Sequence, residues 1–324
     1  MELFNDCSRF PIQNKPLFLA LGNFDGVHRG HQTIIKAAID TARRKNGISA
    51  ALIFDPHPAL MLHPEQPFAL LTDIVERAEI MAELGLDALI VEPFTELLAS
   101  LTAEQFVRDI LVERLNVRGV FIGVDYSFGK QGAGNAQTMC NWGKKLNFQV
   151  NVAPMVTLNH KQVSSSMIRS LLLAGSVREA SELLNYYFFR QGRVIKGHGL
   201  GSKIVYPTAN ISVAPNLIWP GDGVYLTAVD KLGYGMLLGV TNVGSQPTFS
   251  HNEMAVETYI VDFQGSIYSR DLRLYFLEKL RDVRAFASPD QLREQIGKDI
   301  EKSRMLIKTI NRQESLFLNS IISG

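Results

Sequence analysis

Residues 17–31 read LFLALGNFDGVHRGH, and this stretch decides the fold of the first part of the chain. The apolar run Leu17–Leu21 predicts a buried strand, and the helical spacing of the apolar residues that follow predicts a helix from His31 to about Lys45. A turn from a strand into a helix at the carboxyl edge of a parallel sheet often binds ligands, because the amino end of the helix favours anions. The stretch therefore predicts an α/β unit with an anion site at this turn.

Strand-like and helix-like segments go on alternating up to about residue 185. The predicted strands are Ile48–Phe54, Ala88–Val91, Gly119–Val124 and Phe148–Val152, and the predicted helices are Thr72–Leu84, Thr102–Leu115 and Asn135–Leu146. Thr102 and Gln105 have the spacing of a capping box, which supports a helix start there. Strands built of Leu, Ile, Val and Phe and separated by helices predict a doubly wound parallel sheet that is covered on both faces.

The pattern changes in the second part, where short strands follow one another without a long helix between them. The predicted strands are Gln191–Ile195, Val224–Val229, Met236–Thr241, Val256–Phe263 and Leu272–Leu277. They favour an antiparallel β-barrel, with a sandwich as the alternative, and a terminal helix whose cap is Ser288. Residues 171–187 predict a helical connector. We therefore expect two domains, 1–185 and 186–324.

The composition excludes several classes of protein. The chain has 324 residues, 46% hydrophobic and 20% charged, which excludes disordered and collagen-like chains. Its 33 Lys and Arg against 32 Asp and Glu give a net charge of +1, so we expect no nucleic-acid partner. Cys7 and Cys140 are the only cysteines and lack CxxC spacing, which suits a reducing compartment. We see no signal-peptide pattern and no apolar run of about 18 residues, so we expect a cytoplasmic protein that acts on small molecules away from membranes.

The turn after the first strand carries the chemistry that the phosphates of a nucleotide need. Gly22, Gly26 and Gly30 let the backbone approach a bulky charged ligand. His28 and His31 are three residues apart, so they can lie on one turn and face one point. Two imidazoles there can hydrogen-bond phosphate oxygens and spread the charge that develops on an α-phosphorus, without covalent chemistry. The alternatives are that the histidines only cap the helix, or that they bind zinc, for which no third ligand stands nearby.

Three further segments of the first part place polar or aromatic residues at a predicted helix start or at strand ends. Ser164–Ser166 open a helix that contains Arg169, and hydroxyls, amides and a guanidinium suit the β- and γ-phosphates of a nucleotide. The strings FDPHP at 54–58 and GVDYSFG at 123–129 each end a predicted strand. Taken alone, the serines are an ordinary helix cap and the two strings are ordinary turns.

The second part contains the glycine-rich string GHGLGSK at 197–203 and the string PTAN at 207–210. The glycine spacing fits neither a dinucleotide fingerprint nor a P-loop. Thr208 and Asn210 are two residues apart, so on an extended segment both project from one face, and their oxygen atoms suit Mg²⁺. Glu257 lies in an apolar strand context, which a general base for a primary alcohol would explain. The alternative for Glu257 is the solvated face of a strand.

Together these strings resemble one family of bacterial enzymes. GNFDGVHRGH, FDPHP, GVDYSFG and SSSMIR resemble the FMN adenylyltransferase part of the bifunctional riboflavin kinase/FAD synthetase family. PTAN, NVGSQPTF and VETYIVDF resemble the riboflavin kinase part, and the resemblance spans about residues 17–305. It implies that Mg·ATP phosphorylates riboflavin to FMN, and that a second ATP then adenylylates FMN to FAD with release of pyrophosphate.

The same resemblance implies a role for each matching residue. The catalytic residues are His28 and His31 in the first half and Glu257, as the base, in the second. The ATP-binding residues of the first half are Gly22, Asn23, Phe24, Asp25, Gly30, Ser164, Ser165, Ser166 and Arg169. The flavin and adenine pocket is formed by Phe54, Asp55, Pro56, Pro58, Asp125 and Phe128. In the kinase half, ATP is bound by Gly197, Gly199, Gly201, Pro207, Thr208 and Asn210, and the last two also hold Mg²⁺.

Several positions depart from the family pattern. Met167 stands where an Arg is common, which puts one phosphate contact in question and leaves Arg169. The departures in the kinase half are Leu200, Ser202, Val205, Tyr206, Tyr259, Ser269 and Val283. They leave open an adenylyltransferase whose barrel binds flavin without kinase activity. A non-catalytic flavin carrier is a second alternative.

Overall fold

The computed structural model describes residues 1–11, 14–66, 68–196, 207–230, 235–245 and 254–310. The chain divides into two compact units, Met1–Ser165 and Ser166–Gly324. Within the described ranges, no helix combines the length and the apolar character that a membrane crossing requires.

The first unit is built on parallel strands. Its strands are β1 (Glu2–Phe4), β2 (Leu17–Leu21), β3 (Ile48–Asp55), β4 (Ala88–Pro93), β5 (Val117–Gly123), β6 (Ser127–Phe128), β7 (Gly134–Asn135), β8 (Gln149–Ala153), β9 (Thr157–Leu158) and β10 (Lys161–Gln162). Its helices are α1 (Arg29–Arg44), α2 (Pro58–Leu62), α3 (Ile74–Glu83), α4 (Glu96–Ser100), α5 (Ala103–Gln105) and α6 (Ala136–Leu146), and α7 (Ser165–Leu173) begins on its last residue.

Six of these strands form one parallel sheet in the order β1-β4-β3-β2-β5-β8. All five residues of β2 are buried, which explains the unbroken apolar run that predicted this strand. The core of the unit packs Leu19 of β2 with Ile90 of β4, Val120 of β5 and Phe106. The predicted α/β fold with a parallel sheet is confirmed.

The strand order creates a switch point beside β2. From β2 the chain adds β3 and β4 on one side, and it then returns to place β5 on the other side. Ligands of open α/β sheets bind outside the carboxyl ends of the strands at such a point. The turns that follow β2 and β5 therefore flank the expected ligand position.

Several helices differ from their predicted form, and one of them, predicted over Thr72–Leu84, begins at Ile74 because Asp73 is its N-cap. The first helix begins at Arg29 and not at His31, because His28 is its N-cap. The predicted helix over Thr102–Leu115 has the capping box between Thr102 and Gln105 but continues as a π-helix over Phe106–Arg114. Its wider turn is visible at the end, where the amide of Leu115 donates to the carbonyl of Ile110.

The second unit contains a closed antiparallel barrel. After α7 and α8 (Val177–Leu184) come β11 (Phe189–Ile195), β12 (Thr208–Ile211), β13 (Gly223–Asp230), β14 (Leu237–Ser245), β15 (Met254–Ile260), β16 (Asp271–Arg281) and the terminal helix α9 (Pro289–Ile310). The barrel order is β11-β12-β15-β14-β13-β16. Because β11 pairs with β12 on one side and with β16 on the other, the sheet closes, which confirms the barrel and excludes the sandwich.

Both helical predictions for this unit agree with the structure. The region 171–187 holds the end of α7 and all of α8, separated by Gly175 at φ 79°. At the start of α9, Pro289 is the first helical residue, and the amide of Gln291 donates to Oγ of Ser288 at 3.4 Å.

Candidate active sites

The loop of residues 22–28 joins β2 to α1 at the switch point and has an unusual backbone. Phe24 has φ 49°, Gly26 has φ 80° and Val27 has φ 38°. Positive φ is unfavourable for Phe and for a β-branched Val, at roughly 1–3 kcal/mol each. Contacts from elsewhere in the first unit must therefore hold the loop in this shape.

The side chain of Asp25 joins this loop to the segment that contains Leu71 and Thr72. Its side chain is 3% exposed, and its carboxylate accepts the amides of Leu71 and Thr72, each at 3.0 Å. In return, Oγ1 of Thr72 accepts the amide of Gly26 at 2.9 Å. The hydroxyl of Ser165 donates to the carbonyl of Asp25 at 2.9 Å and so joins the start of α7 to the same loop. The hydrogen bonds of the Asp25 carboxylate therefore hold the loop in its shape.

Arg77 of α3 is a second support, which the sequence analysis missed. Its Nη1 donates to the carbonyl of Asn23 at 2.9 Å, and its Nη2 donates to the carbonyl of Thr72 at 2.9 Å. The sequence did contain a signal, because Arg77 shares a helix face with the buried Ile80 and Met81. A charged residue on an apolar stripe needs a partner inside the protein.

The two histidines lie face to face. Their ring centroids are 3.6 Å apart with an interplanar angle of 17°. Nδ1 of His28 accepts the amide of His31 at 3.3 Å, so His28 does cap α1, as the first alternative holds. A neutral imidazole that accepts at Nδ1 carries its proton on Nε2. The cap therefore fixes the tautomer of His28 as one with a donor at Nε2.

His31 is enclosed by the loop. The ring of Phe24 meets it edge-on at 5.3 Å. Burial, followed by the charges of His28 and Arg77, lowers the pKa of His31 well below its usual range, so its imidazole is neutral at neutral pH. Among the described residues, Nδ1 of His31 and Oδ1 of Asn23 are buried and have no hydrogen-bond partner. Buried polar atoms of this kind are rare, and two at one turn fit a site that a polar ligand completes.

Two glycines here lie close to neighbouring side chains, and a third has a backbone shape that favours glycine. A Cβ on Gly30 would lie 3.2 Å from Cε1 of His28, and a Cβ on Gly22 would lie 3.0 Å from the ring of Phe24. Only Gly26 of the three has a positive φ. Gly22 and Gly30 thus make room for neighbouring side chains of the loop. This is a second reason for glycine at these positions, beside the predicted close approach of a ligand to the backbone.

The aromatic turns after β3 and β5 come together through a residue that the sequence analysis did not select. The ring of Phe106 lies 6.4 Å from Phe54 and 5.8 Å from Phe128. Tyr126 stacks on Phe128 at 5.8 Å, and burial raises the pKa of its hydroxyl. Nothing in the spacing of Phe106 distinguishes it from an ordinary core residue of its helix.

The remaining predicted residues of the first half have these positions. Asp55 ends β3 and is joined to Pro56 by a cis peptide, and Pro58 begins α2. Asp125 is exposed and folds back over Gly123. Ser164 precedes α7, while Ser166 and Arg169 lie on α7 in the second unit.

In the second unit, strand register brings the predicted kinase residues onto one face. Asn210 of β12 is directly opposite Glu257 of β15, and Thr208 is directly opposite Tyr259. Residues opposite each other in an antiparallel pair share a face, with Cβ atoms about 5 Å apart. The neighbours Ala209, Val256 and Thr258 are buried, whereas Thr208, Asn210 and Glu257 are half-buried. The predicted common face of Thr208 and Asn210 is therefore present and includes Glu257.

Glu257 lies neither in the core nor on a fully solvated face. Partial burial raises its pKa above the usual range of a glutamate. On its other side, β14 places Asn242 directly opposite Glu257. The sequence gives Asn242 no role of its own, because only the register of β14 against β15 shows that the two residues face each other.

The glycine-rich segment of the kinase half lies outside the described residues. This applies to Gly197, Gly199 and Gly201 and to the departures Leu200, Ser202, Val205 and Tyr206. Pro207, which follows them, is described and exposed. Among the described residues, no three His, Cys, Asp or Glu side chains form a group that could hold a metal ion.

Comparison with known proteins defines the class of each half. Residues 11–167 match the family model of FAD synthetase, and residues 184–307 match that of riboflavin kinase. The chain is therefore an enzyme with an FAD synthetase domain and a riboflavin kinase domain.

Full-length relatives join both halves in one protein. A bifunctional riboflavin kinase/FMN adenylyltransferase of Listeria monocytogenes is 35% identical over 288 residues, 88% of this chain and 91% of the relative. One of Buchnera aphidicola is 32% identical over 304 residues, 93% of this chain and 97% of the relative. This chain belongs to the bifunctional riboflavin kinase/FMN adenylyltransferase family, as the sequence strings indicated. A solved Streptococcus pneumoniae protein, described as a macrolide-efflux protein, has 30% identity and a TM-score of 0.85 over 93% of this chain and 98% of its own.

Proposed function

We propose that the chain makes FAD from riboflavin in two steps on two separate sites. In the first, ATP phosphorylates riboflavin to give FMN and ADP. In the second, another ATP transfers its AMP group to FMN to give FAD and pyrophosphate. The observation that carries this proposal is the match of the two family models to two different parts of the chain. We assign the FAD-forming domain to residues 1–185 and the kinase domain to residues 186–324.

In the FAD-forming step, a phosphate oxygen of FMN attacks the α-phosphorus of ATP, and the bond to the pyrophosphate oxygen breaks. His28 donates from Nε2, the nitrogen that its cap leaves protonated, and His31 supplies a second imidazole beside it. Donors preorganised at a developing negative charge lower the barrier without covalent chemistry. Phe24 and Asp25 act as positioning residues, because one packs on His31 and the other shapes the loop.

The other first-half residues bind the ends of the two substrates. Gly22, Asn23 and Gly30 line the loop after β2, and the side-chain oxygen of Asn23, which is buried and has no partner among the described residues, can accept a hydrogen bond from a hydroxyl of the nucleotide. The start of α7, with Ser164, Ser165, Ser166 and Arg169, provides hydroxyls and a guanidinium for the β- and γ-phosphates. The flavin and adenine rings pack against the turns that hold Phe54, Asp55, Pro56, Pro58, Asp125 and Phe128.

In the kinase step, Glu257 accepts the proton of the ribityl 5′-hydroxyl as its oxygen attacks the γ-phosphorus of ATP. The raised pKa of Glu257 suits a general base, because a more basic carboxylate takes up a proton more readily. Thr208 and Asn210 offer hydroxyl and amide oxygens, the donors that Mg²⁺ prefers, on the face that carries Glu257. Bound there, Mg²⁺ would neutralise phosphate charge, while Pro207 and the glycines 197, 199 and 201 bind ATP.

The match of residues 184–307 to riboflavin kinase favours this function over an adenylyltransferase whose barrel only binds flavin. Thr208, Asn210 and Glu257 are all present and share a face, which also favours an active kinase. We further propose a cytoplasmic location, since the two cysteines are free and Cys7 is buried.

Incubation of the full chain with riboflavin, ATP and Mg²⁺ tests the proposal. Chromatographic separation of flavins over time should show FMN first and FAD afterwards, with ADP and pyrophosphate formed in step. Conversion of added FMN to FAD without any FMN from riboflavin would support the flavin-binding barrel instead. No turnover beyond one flavin per chain would contradict both enzymes and leave the carrier.

A further inference from the structure

We propose that Arg77 is a positioning residue of the FAD-forming site, which fixes the loop of residues 22–28 at Asn23 and sets the electrostatic environment of His31. This inference rests on the proposed function, because it assigns the loop to adenylyl transfer. Neither the family strings nor the composition pointed to Arg77.

The contacts of Arg77 form a rigid fork. The side chain is 2% exposed, and three of its donor positions are used. Nη1 donates to the carbonyl of Asn23 at 2.9 Å, Nη2 to the carbonyl of Thr72 at 2.9 Å, and Nε to Oγ1 of Thr72 at 3.4 Å. A planar guanidinium with three fixed partners holds two backbone segments at a defined separation. Asn23 comes directly before Phe24, whose positive φ turns the loop.

The charge of Arg77 is compensated by carboxylates. Its single ion pair within the described part of the chain is with Asp25, at 3.9 Å between Nη2 and Oδ1. Asp73, Asp55 and Glu76 act on the guanidinium from further away. What Arg77 adds to the loop is therefore the close hydrogen bond from Nη1 to the carbonyl of Asn23.

The same charge acts on His31. Burial, His28 and Arg77, in that order, lower the pKa of His31. The other groups that act on Arg77 are carboxylates, namely Asp25, Asp73, Asp55 and Glu76. Removing the Arg77 charge therefore raises the pKa of His31, while replacing it with another cation does not.

A purely structural role for Arg77 predicts a different outcome. Segment 71–72 stays joined to the loop without Arg77, because Asp25 still accepts the amides of Leu71 and Thr72 and Thr72 still accepts the amide of Gly26. The contact that disappears is the one at Asn23. Replacing Arg77 should thus change the geometry and charge of the site more than it lowers the stability of the fold.

The test uses the full chain with Arg77→Met and Arg77→Lys, and Arg118→Met on an exposed position of β5 as the matched control. FAD formation from FMN and ATP, and FMN formation from riboflavin and ATP, are measured on each. NMR follows the titration of the His31 ring, whose signal is assigned with His31→Asn. We expect Arg77→Met to lower kcat/KM for FAD formation by roughly tenfold to a hundredfold, the range of a lost charge-assisted hydrogen bond. FMN formation should stay within about twofold, and the pKa of His31 should rise.

Arg77→Lys keeps the charge and loses the fork. Its His31 ring should titrate as in the unsubstituted chain, while kcat/KM for FAD formation falls. Unchanged FAD kinetics in Arg77→Lys, or an unchanged His31 titration in Arg77→Met, would overturn the inference. If Arg77→Met also loses FMN formation, misfolding is indicated and the decision rests on Arg77→Lys. An unsubstituted chain that makes no FAD from FMN would refute the proposed function itself, before any variant is compared.

Discussion

The two candidate sites of this chain place their proposed catalytic side chains by opposite means. In the first unit, His28 and His31 sit at the end of a loop whose strained backbone is held by partners far away in sequence, such as the buried Thr72 and the half-buried Ser165. In the second, Asn210 and Glu257 face each other because two regular strands pair in one register. Main-chain ladder bonds set the strand register that places the second pair. The loop site should therefore be sensitive to changes away from the substrate, and the strand site only to changes at the facing residues.

Removing both histidines gives the largest expected effect. His28→Ala with His31→Ala should lower FAD formation by about 10⁴-fold or more, since each lost donor to a developing charge is worth about 10²–10³. FMN formation should stay within about twofold, because its residues lie on another unit. Rates from separated flavins would measure both, and loss of both activities together would contradict separate sites.

A second variant separates capping from catalysis at His28. Asn is among the best N-caps, so His28→Asn keeps the bond to the amide of His31 and removes the Nε2 donor. A full loss of FAD formation in His28→Asn at unchanged melting temperature would assign the effect to the donor. Full activity would mean that His28 serves only as a cap.

Glu257→Gln is expected to have the next largest effect, on the other reaction. It removes the base and keeps the size of the side chain, so FMN formation should fall by about 10²–10⁴-fold. Conversion of supplied FMN to FAD should be unchanged. Glu278→Gln, on a half-buried glutamate of β16, is the matched control and should affect neither reaction. An equally large loss with Glu278→Gln would show that the barrel tolerates no such change.

Adding a single methyl group to one glycine near the loop and to one of the barrel should have a smaller effect and compares the two sites directly. A Cβ on Gly30 would lie 3.2 Å from the ring of His28, so Gly30→Ala must displace that ring. FAD formation should fall by roughly tenfold, while helix stability stays equal or rises by up to about 1 kcal/mol. In the barrel, a Cβ on Gly244 meets Val283 at an ordinary 3.6 Å, so Gly244→Ala should leave FMN formation unchanged. Calorimetry and rates on both variants test this, and equal sensitivity of the two sites would contradict the comparison.

The smallest expected effects are pH shifts of opposite sign. Burial raises the pKa of Glu257, and the base must be ionised to act. As the pH is lowered, FMN formation should therefore be lost at a pH higher than about 4.3, the ordinary pKa of a glutamate. The ordinary pKa of a histidine is about 6.5. Burial, His28 and Arg77 lower the pKa of His31, so its ring should stay neutral even somewhat below that pH. Rate profiles of FMN formation and NMR titration of the His31 ring measure the two shifts. Shifts in the same direction would disprove this difference between the sites.

The sequence predicted the parts of the fold that local patterns control. Leu17–Leu21 is found with its predicted bounds, because an unbroken apolar run between turns leaves little choice of structure. The short edge strand Glu2–Phe4 was missed, since three residues with two exposed carry almost no pattern. The sequence favoured the barrel and left the sandwich open as an alternative, because closure depends on the pairing of β11 with β16, which are far apart in sequence.

The candidate sites divide in the same way. The closeness of His28 and His31 could be predicted because they are three positions apart on one turn, and the common face of Thr208 and Asn210 because strands alternate. Arg77 and Asn242 could not be assigned, because their roles depend on which segments a distant helix or strand comes to lie beside. Sequence strings point to candidate site residues more readily than to the residues that hold those candidates in place.

The bond from Ser165 to the carbonyl of Asp25 has a practical consequence for anyone who wishes to produce the FAD-forming half alone. Ser165 is the final residue of the first compact unit and also the first residue of α7. A fragment ending just before it would keep the whole parallel sheet and still lose one hydrogen bond to the loop of residues 22–28. Such a truncation should lower FAD formation even where the sheet folds, so expression boundaries belong beyond α8 and not at the border between the units.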